Sequence, residues 1–439
     1  MTSPRIFAVK VSSTSSHRIW AYLVMPVLLV LSAVTPILAG TSTLASATGS
    51  SEAPDTGVEG GGALFTPIVG SVPVAPIPFS GSDGKTHVVY ELTLTNASRV
   101  TATINEIKVV DAATGAVVQT LDQAAVAKAT TLVNLTPSNG SLGPSQSGTV
   151  FLELEFANAT SVPRALSHRI LLTMPDSTIV PGFTPAGSRT SPSMVTETLA
   201  PVRANYRRVV KLGPPLQRGS GYIAADACCK ATRHRRALLP VDGSLTIGER
   251  YAVDWEQVDS HGRIYSGSRT DLGSYAIFGK KALAVANGRV VKAVDGLDEQ
   301  VPGTFPNEIA LDQADGNSVI VYLGNGNYAL YAHLEPGSLK VRVGDRVKRG
   351  AVLGLVGNTG NSIAPHLHFQ IMSAPSPSAS SGLPYAITSF AVSGQTISTK
   401  AFDTAEAEGT PLEFTPVEPP TRHLNQYPMD QSLVTFRGP

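Results

Sequence analysis

His366-Leu367-His368-Phe369 sets two imidazoles at positions i and i+2. On a strand both face one side, while Leu367 and Phe369 face the other. Paired imidazoles on one face can ligate a metal, move a proton or line a polar sheet face. With 9 histidines in 439 residues, such a pair arises by chance roughly 0.2 times per chain, so the spacing alone is weak evidence. Tyr331-Ala332-His333-Leu334 places a third imidazole at a strand end. Asp254 closes the run Tyr251-Ala252-Val253-Asp254, where an acid serves as a ligand or as a strand-end cap; Arg250 stands four residues before it. The only cysteines, Cys228 and Cys229, are adjacent, so there is neither a CxxC metal pair nor a disulfide framework. Adjacent Cα atoms are ~3.8 Å apart, against about 4.4–6.8 Å in ordinary disulfides, so a bridge between them needs an unusual turn. Metal-binding thiolates, free thiols and a link to another chain are the other readings.

Strands must carry these groups. In 87–96, Val88, Tyr90, Leu92 and Leu94 alternate with His87, Glu91, Thr93 and Thr95; in 148–156, Val150, Leu152, Leu154 and Phe156 alternate with Thr149, Glu153 and Glu155. Period-two alternation marks strands with one buried face. Turn signals at Ala113-Thr114-Gly115 and Leu142-Gly143-Pro144 separate them. The expectation for 70–198 is a small β-sandwich, Ig-like in plan, serving as a spacer or binding module. The stretch 184–236 is rich in Pro, Gly, Arg and Ser and reads as an inter-domain connection, with 199–236 as the linker, and a second β region spans 237–395. There Asn287-Gly288 and Asn325-Gly326 each predict a hairpin turn, and glycines punctuate 341–356. Residues 396–439 are polar and Pro-rich, predicting a loosely ordered tail, with an edge strand as the alternative.

Residues 1–18 carry Arg5, Lys10 and Arg18 without an acid, and Ile19 to Ser51 carry no charge. An apolar run to about Leu38 and then Ala45-Ser46-Ala47 read as a secretory signal over 1–47, with an uncleaved membrane anchor as the competitor. Residues 48–69 read as a flexible linker. Either way the remainder is expected outside the cytoplasmic membrane. Lys and Arg total 34 against 33 Asp and Glu, a net charge of +1, with no dense basic run beyond Arg233, Arg235 and Arg236. Phosphate-driven nucleic-acid binding is therefore not expected. Charged residues are 15% of the chain and mean hydropathy is +0.08, which argues against disorder over most of its length. Composition leaves the oligomeric state open.

The order of the motifs adds what their spacing does not. Asn317-Ser318-Val319, Tyr331-Ala332-His333-Leu334, Gly344-Asp345-Arg346-Val347-Lys348-Arg349-Gly350, Gly357-Asn358-Thr359-Gly360 and His366-Leu367-His368 together resemble the lysostaphin/LytM-type zinc metallopeptidases over about 237–395. The resemblance implies a mainly β chain whose C-terminal domain is an antiparallel β metallopeptidase, exported to the cell wall or envelope, that cleaves peptide bonds in peptidoglycan. It implies one zinc ion held by an HxxxD motif and the second histidine of HxH, which assigns Asp254 and His368 as ligands. It implies His333 and His366 as catalytic residues beside an activated water.

One position departs from that pattern. The first-ligand slot holds Arg250, and a guanidinium cannot ligate zinc. His234, His261 or a Cys228/Cys229 thiolate could supply the missing donor. If positions 250 and 254 share a strand face, the Arg250 fork is expected to pair with Asp254 and stand where zinc stands elsewhere. Two functions follow: a peptidoglycan endopeptidase with a substitute ligand, or a non-catalytic member that binds peptidoglycan or an envelope partner.

Overall fold

The computed structural model describes residues 66–133, 138–175, 193–230 and 233–438. The expected signal or anchor at 1–47, and nearly all of the 48–69 linker, lie outside the described residues. Among the described residues no helix is long and apolar enough to cross a membrane. The chain is mainly β.

In the N-terminal region the long strands are Thr86–Asn96 (β1), Ala102–Asp111 (β2), Ser147–Phe156 (β3) and Ala165–Met174 (β4). β1 pairs antiparallel with β3 in one five-stranded sheet, and β2 pairs antiparallel with β4 in another. The alternating residues explain the packing. Val88, Tyr90, Leu92 and Leu94 of β1 and Val150, Leu152 and Leu154 of β3 share one core with Ile104, Ile107, Leu166 and Ile170 of the second sheet. The opposite face of β1 is also covered, against the one-sided burial that its alternation predicts. Val89 joins the core of the C-terminal region, and His87 and Glu91 are buried beside it.

The C-terminal region is built on one eleven-stranded sheet. Its main strands are Gly219–Ala225 (β5), Val253–Gln257 (β6), Gly288–Val294 (β7), Asn317–Gly324 (β8), Asn327–Leu334 (β9), Leu367–Met372 (β10), Phe390–Thr396 (β11), Phe414–His423 (β12) and Ser432–Phe436 (β13). The order is Arg346–Val347, β7, β8, β9, β10, β6, β5, β13, β11, β12, with Gly382–Leu383 paired to β10. Trp255, Tyr331, Leu367, Phe369 and Phe436 are fully buried in its core, together with Phe79 and Val89 from the N-terminal region.

Asn325-Gly326 does turn a hairpin between β8 and β9, with positive φ at both residues (52° and 65°). Three sequence expectations fail. Asn287-Gly288 does not make a hairpin: Lys281–Leu283 pairs with Val352–Leu355, whereas β7 pairs with β8. The 199–236 stretch is not a linker alone, because β5 lies inside the sheet between β6 and β13. Its apolar run, Tyr222-Ile223-Ala224-Ala225, is only four residues long and is flanked by turn formers. The 396–439 tail is ordered as a helix, Thr399–Glu408, followed by β12 and β13. β13 lies within the sheet, while the Pro-rich β12 is its edge, as the edge-strand alternative has it, and there missing N–H donors cost least.

Candidate metal and catalytic site

Register sets the centre of the site. Ala332 of β9, Asp254 of β6 and His368 of β10 form one row, since His368 pairs with both neighbours, and Asp254 pairs on with Ala225 of β5. Directly opposed residues in antiparallel strands project to the same face. His368 Nδ1 accordingly meets Asp254 Oδ1 at 2.8 Å, and its Nε2 meets Gln370 Oε1 at 2.9 Å. His366, two residues earlier, faces the same way, with Nε2 3.5 Å from Asp254 Oδ1. Its Nδ1 donates to the Ala364 carbonyl at 2.8 Å.

His333 follows Ala332 and would point away from this row in a regular strand. A positive φ of 60° re-aims it, a conformation in which histidine is enriched among non-glycine residues. Its Nδ1 donates to the Thr359 carbonyl at 2.7 Å, and its ring lies 4.6 Å from that of His366. The Thr359 loop comes this close because Gly316 and Gly360 are glycines: a Cβ on Gly316 would collide with the Thr359 carbonyl, and one on Gly360 with Gly316.

The fifth donor comes from outside the expected domain. His234 sits on a single 3-10 turn, His234–Arg236, after β5. Its Nδ1 donates to the Asp226 carbonyl at 2.8 Å, and its Nε2 lies 3.3 Å from Asp254 Oδ2. Ligating atoms of His234, Asp254 and His368 all lie within 4.8 Å of one another. So do those of His333, His366 and His368. The other two substitutes for the missing ligand are not at the site. His261 is exposed beside Asp259, and Cys228 and Cys229 are bridged to each other across a cis peptide, so neither offers a thiolate.

Arg250 corrects the sequence expectation. It lies not on an extended strand with Asp254 but in the turn before β6, where Ala252 N–H donates to the Glu249 carbonyl at 2.8 Å. Its guanidinium turns to the N-terminal region and grips Glu91: Nε is 3.1 and 3.0 Å from the two carboxylate oxygens, and Nη2 is 2.6 Å from Oε2. Glu91, Arg250 and Asp254 have no sequence signal joining them correctly, because Glu91 reads as the solvent side of an amphipathic strand.

The charges are strongly coupled. Burial raises the Asp254 carboxyl, but His234 and His366 beside it hold it well below the usual range. Burial lowers His234, but Asp254 holds it up to about 10. Burial, reinforced by His366 and His368, holds His333 well below its ordinary value. His366 is lowered, chiefly by burial. Asp315, whose carbonyl accepts the His333 N–H at 3.0 Å, has its carboxyl raised to about 6 by burial.

The donor chemistry fits zinc. Two imidazole nitrogens and a carboxylate are the three N/O ligands of a catalytic zinc site. Each of these two histidines is oriented through one ring nitrogen, His234 by the Asp226 carbonyl and His368 by Gln370, as zinc-bound histidines generally are.

Residues 271–379 match the model of Peptidase family M23. The matched span holds His333, His366 and His368 and begins after Asp254. The chain is 36% identical over 109 residues to the glycyl-glycine endopeptidase ALE-1 of Staphylococcus capitis, covering 25% of this chain and 26% of that one. It is 40% identical over 57 residues to the peptidoglycan DD-endopeptidase ShyA of Vibrio cholerae, 13% of each chain. The chain thus spans about a quarter or less of the length of these relatives. Among solved structures, the catalytic domain of lysostaphin from Staphylococcus simulans aligns with 24% identity and a TM-score of 0.21, over 37% of this chain and 86% of that one. The order of the motifs and the family-model match agree: residues 271–379 of this chain carry a Peptidase family M23 domain.

Proposed function

We propose that this chain is an exported, zinc-dependent endopeptidase that hydrolyses peptide bonds of peptidoglycan. The observation that carries the reading is His234. With Arg250 turned away, its Nε2 completes a three-donor set with Asp254 and His368. In this reading His234, Asp254 and His368 hold the zinc, which supplies a Lewis acid that polarises the peptide carbonyl and acidifies water.

The other two histidines handle protons. His366 and His333 keep their Nδ1 protons on the Ala364 and Thr359 carbonyls, which leaves each Nε2 as a lone pair. Both are biased towards the neutral form, so one can take a proton from water. Once protonated, that imidazole donates to the leaving amine; the second can stabilise the negative charge developing on the carbonyl oxygen only in its protonated form, by donating through Nε2–H. The named activities of ALE-1 and ShyA support peptidoglycan peptides as the substrate class. The basic and apolar N-terminal sequence supports export, and the two-sheet N-terminal region is read as an Ig-like sandwich.

The non-catalytic alternative rests on Arg250 standing where the first zinc-ligand histidine is expected; Arg250 turned to Glu91 and His234 set beside Asp254 support the catalytic reading instead. The test is zinc per chain together with release of new amino termini from cross-linked peptidoglycan. One zinc and hydrolysis that a chelator abolishes are expected. A zinc-free protein that binds peptidoglycan without cleaving it would return the chain to the binding modules.

A further inference from the structure

The turn that carries His234 has little of its own to hold it. It is one turn of 3-10 helix, and Arg233, the residue before it, makes no side-chain cap. Its neighbours are fastened to the N-terminal region instead. Arg235 donates Nη1 to Glu91 Oε1 and Nη2 to the Leu152 carbonyl at 3.2 Å. Arg236 donates to Thr131 Oγ1 at 3.3 Å and to the Lys128 carbonyl. Both guanidinium groups lie over the Phe151 ring, 5.5 and 5.4 Å from its centre. On the other flank, Arg233 reaches Asp226 Oδ2 at 3.5 Å and Asp403 Oδ1 at 2.5 Å. One carboxylate, Glu91, therefore gathers Arg235 from the ligand turn and Arg250 from the vacated ligand slot.

We propose that Glu91 acts through Arg235 as the positioning residue for the metal ligand His234, and that the same carboxylate keeps Arg250 out of the donor cluster. The inference rests on the reading of His234, Asp254 and His368 as zinc ligands. It makes the N-terminal β region a working part of the metal site.

Energetics favour a positioning role over a purely stabilising one. Glu91, Arg235 and Arg250 are 4%, 1% and 4% exposed. A buried Arg–Glu–Arg group carries a desolvation cost that can exceed its Coulombic gain, and apolar residues of equal volume often do as well. Arg235 Nε adds to that cost, having no hydrogen-bond partner among the described residues. The best-attested use of such a group is to specify one arrangement among several. Here the arrangement specified puts His234 into contact with Asp254.

The test compares zinc affinity, by chelator competition, with the melting temperature of the metal-free full chain. Arg235→Met keeps the stem volume and leaves Glu91 and Arg250 as a one-to-one pair. It is expected to weaken zinc binding about ten- to a hundredfold, the range for lost outer partners of a ligand. Its metal-free melting temperature is expected to fall, because one arm of the buried ionic group is lost, and the visible bands of its cobalt-substituted form should change. Arg235→Lys, which keeps a donor towards Glu91, is expected to recover part of the affinity. If Arg235→Met does not fold, the triple variant Glu91→Leu/Arg235→Met/Arg250→Leu leaves no unpaired buried charge and carries the same expectation. Wild-type affinity and cobalt bands in a folded Arg235 variant would overturn the proposal. So would a lower melting temperature with affinity unchanged. Zinc uptake by wild type no tighter than by His234→Ala would instead overturn the ligand reading underneath, and the proposal with it.

Discussion

The two halves of the donor cluster are held in different ways. His366 and His368 are fixed by the strand β10 and the residues leading into it, and His333 by the end of β9. His234 is fixed by a loop whose anchors are side chains: Arg235 reaches a carboxylate 144 positions away in the chain, and Arg250 reaches the same one 159 positions away. A strand-borne ligand inherits its place from sheet register, so its spacing within the motif survives. A loop-borne ligand can be supplied from anywhere the chain can bring a loop, provided something clamps it. In the proposed site Asp254 and His368 keep the expected positions, while the third donor, His234, lies sixteen residues upstream of position 250.

The largest effect is expected on removing a proposed ligand. His368→Ala is expected to lower zinc content to background and hydrolysis by on the order of 10⁴, taking about 5 kcal/mol from the lost Lewis acid. Zinc retained at wild-type stoichiometry would show that the ion sits elsewhere. His366→Ala probes the strand-held half alone. Hydrolysis should fall by about 10³, within the range for a proton-transfer residue, with zinc content unchanged. A parallel loss of zinc would make His366 a ligand.

Arg250→His separates the two halves directly. A family-pattern reading expects the restored histidine to tighten zinc binding. The geometry expects otherwise: one arm of the buried ionic group is lost, which costs about 3–5 kcal/mol in denaturant unfolding. Zinc affinity of the folded fraction should not improve. Tighter zinc with stability intact would show that Arg250 is not bound to Glu91 in solution.

The smallest effect lies on the same face of β1. Burial lowers His87, but Asp83 and Glu153 hold its imidazole up to about 9. The unfolded value is ~6.5. The stabilisation is therefore full below about pH 6.5 and is lost as pH rises through 9, on the order of 2–3 kcal/mol. In His87→Gln the difference from wild type should shrink between pH 6.5 and 9.5. An unchanged difference across that window would mean that His87 is neutral in the folded protein.

By itself the sequence determined the strand-borne chemistry. Period-two alternation placed β1 and β3, Asn325-Gly326 placed the β8–β9 turn, and the HxH spacing placed His366 and His368 on one face of β10. These are local consequences of backbone geometry, readable within a window of a few residues. The same reading saw that position 250 lacks a ligand and counted His234 among the residues able to replace it. It could not choose His234, and it aimed Arg250 at the wrong carboxylate. It also set β5 in a linker and β13 in a tail, because each is a short apolar run inside polar, Pro- and Gly-rich surroundings. Only the tertiary structure decided these points. Whether a strand becomes central depends on which neighbours bury it. Which carboxylate a guanidinium finds depends on long-range packing, and Glu91 is the partner because the second face of β1 is covered by the C-terminal region rather than by water.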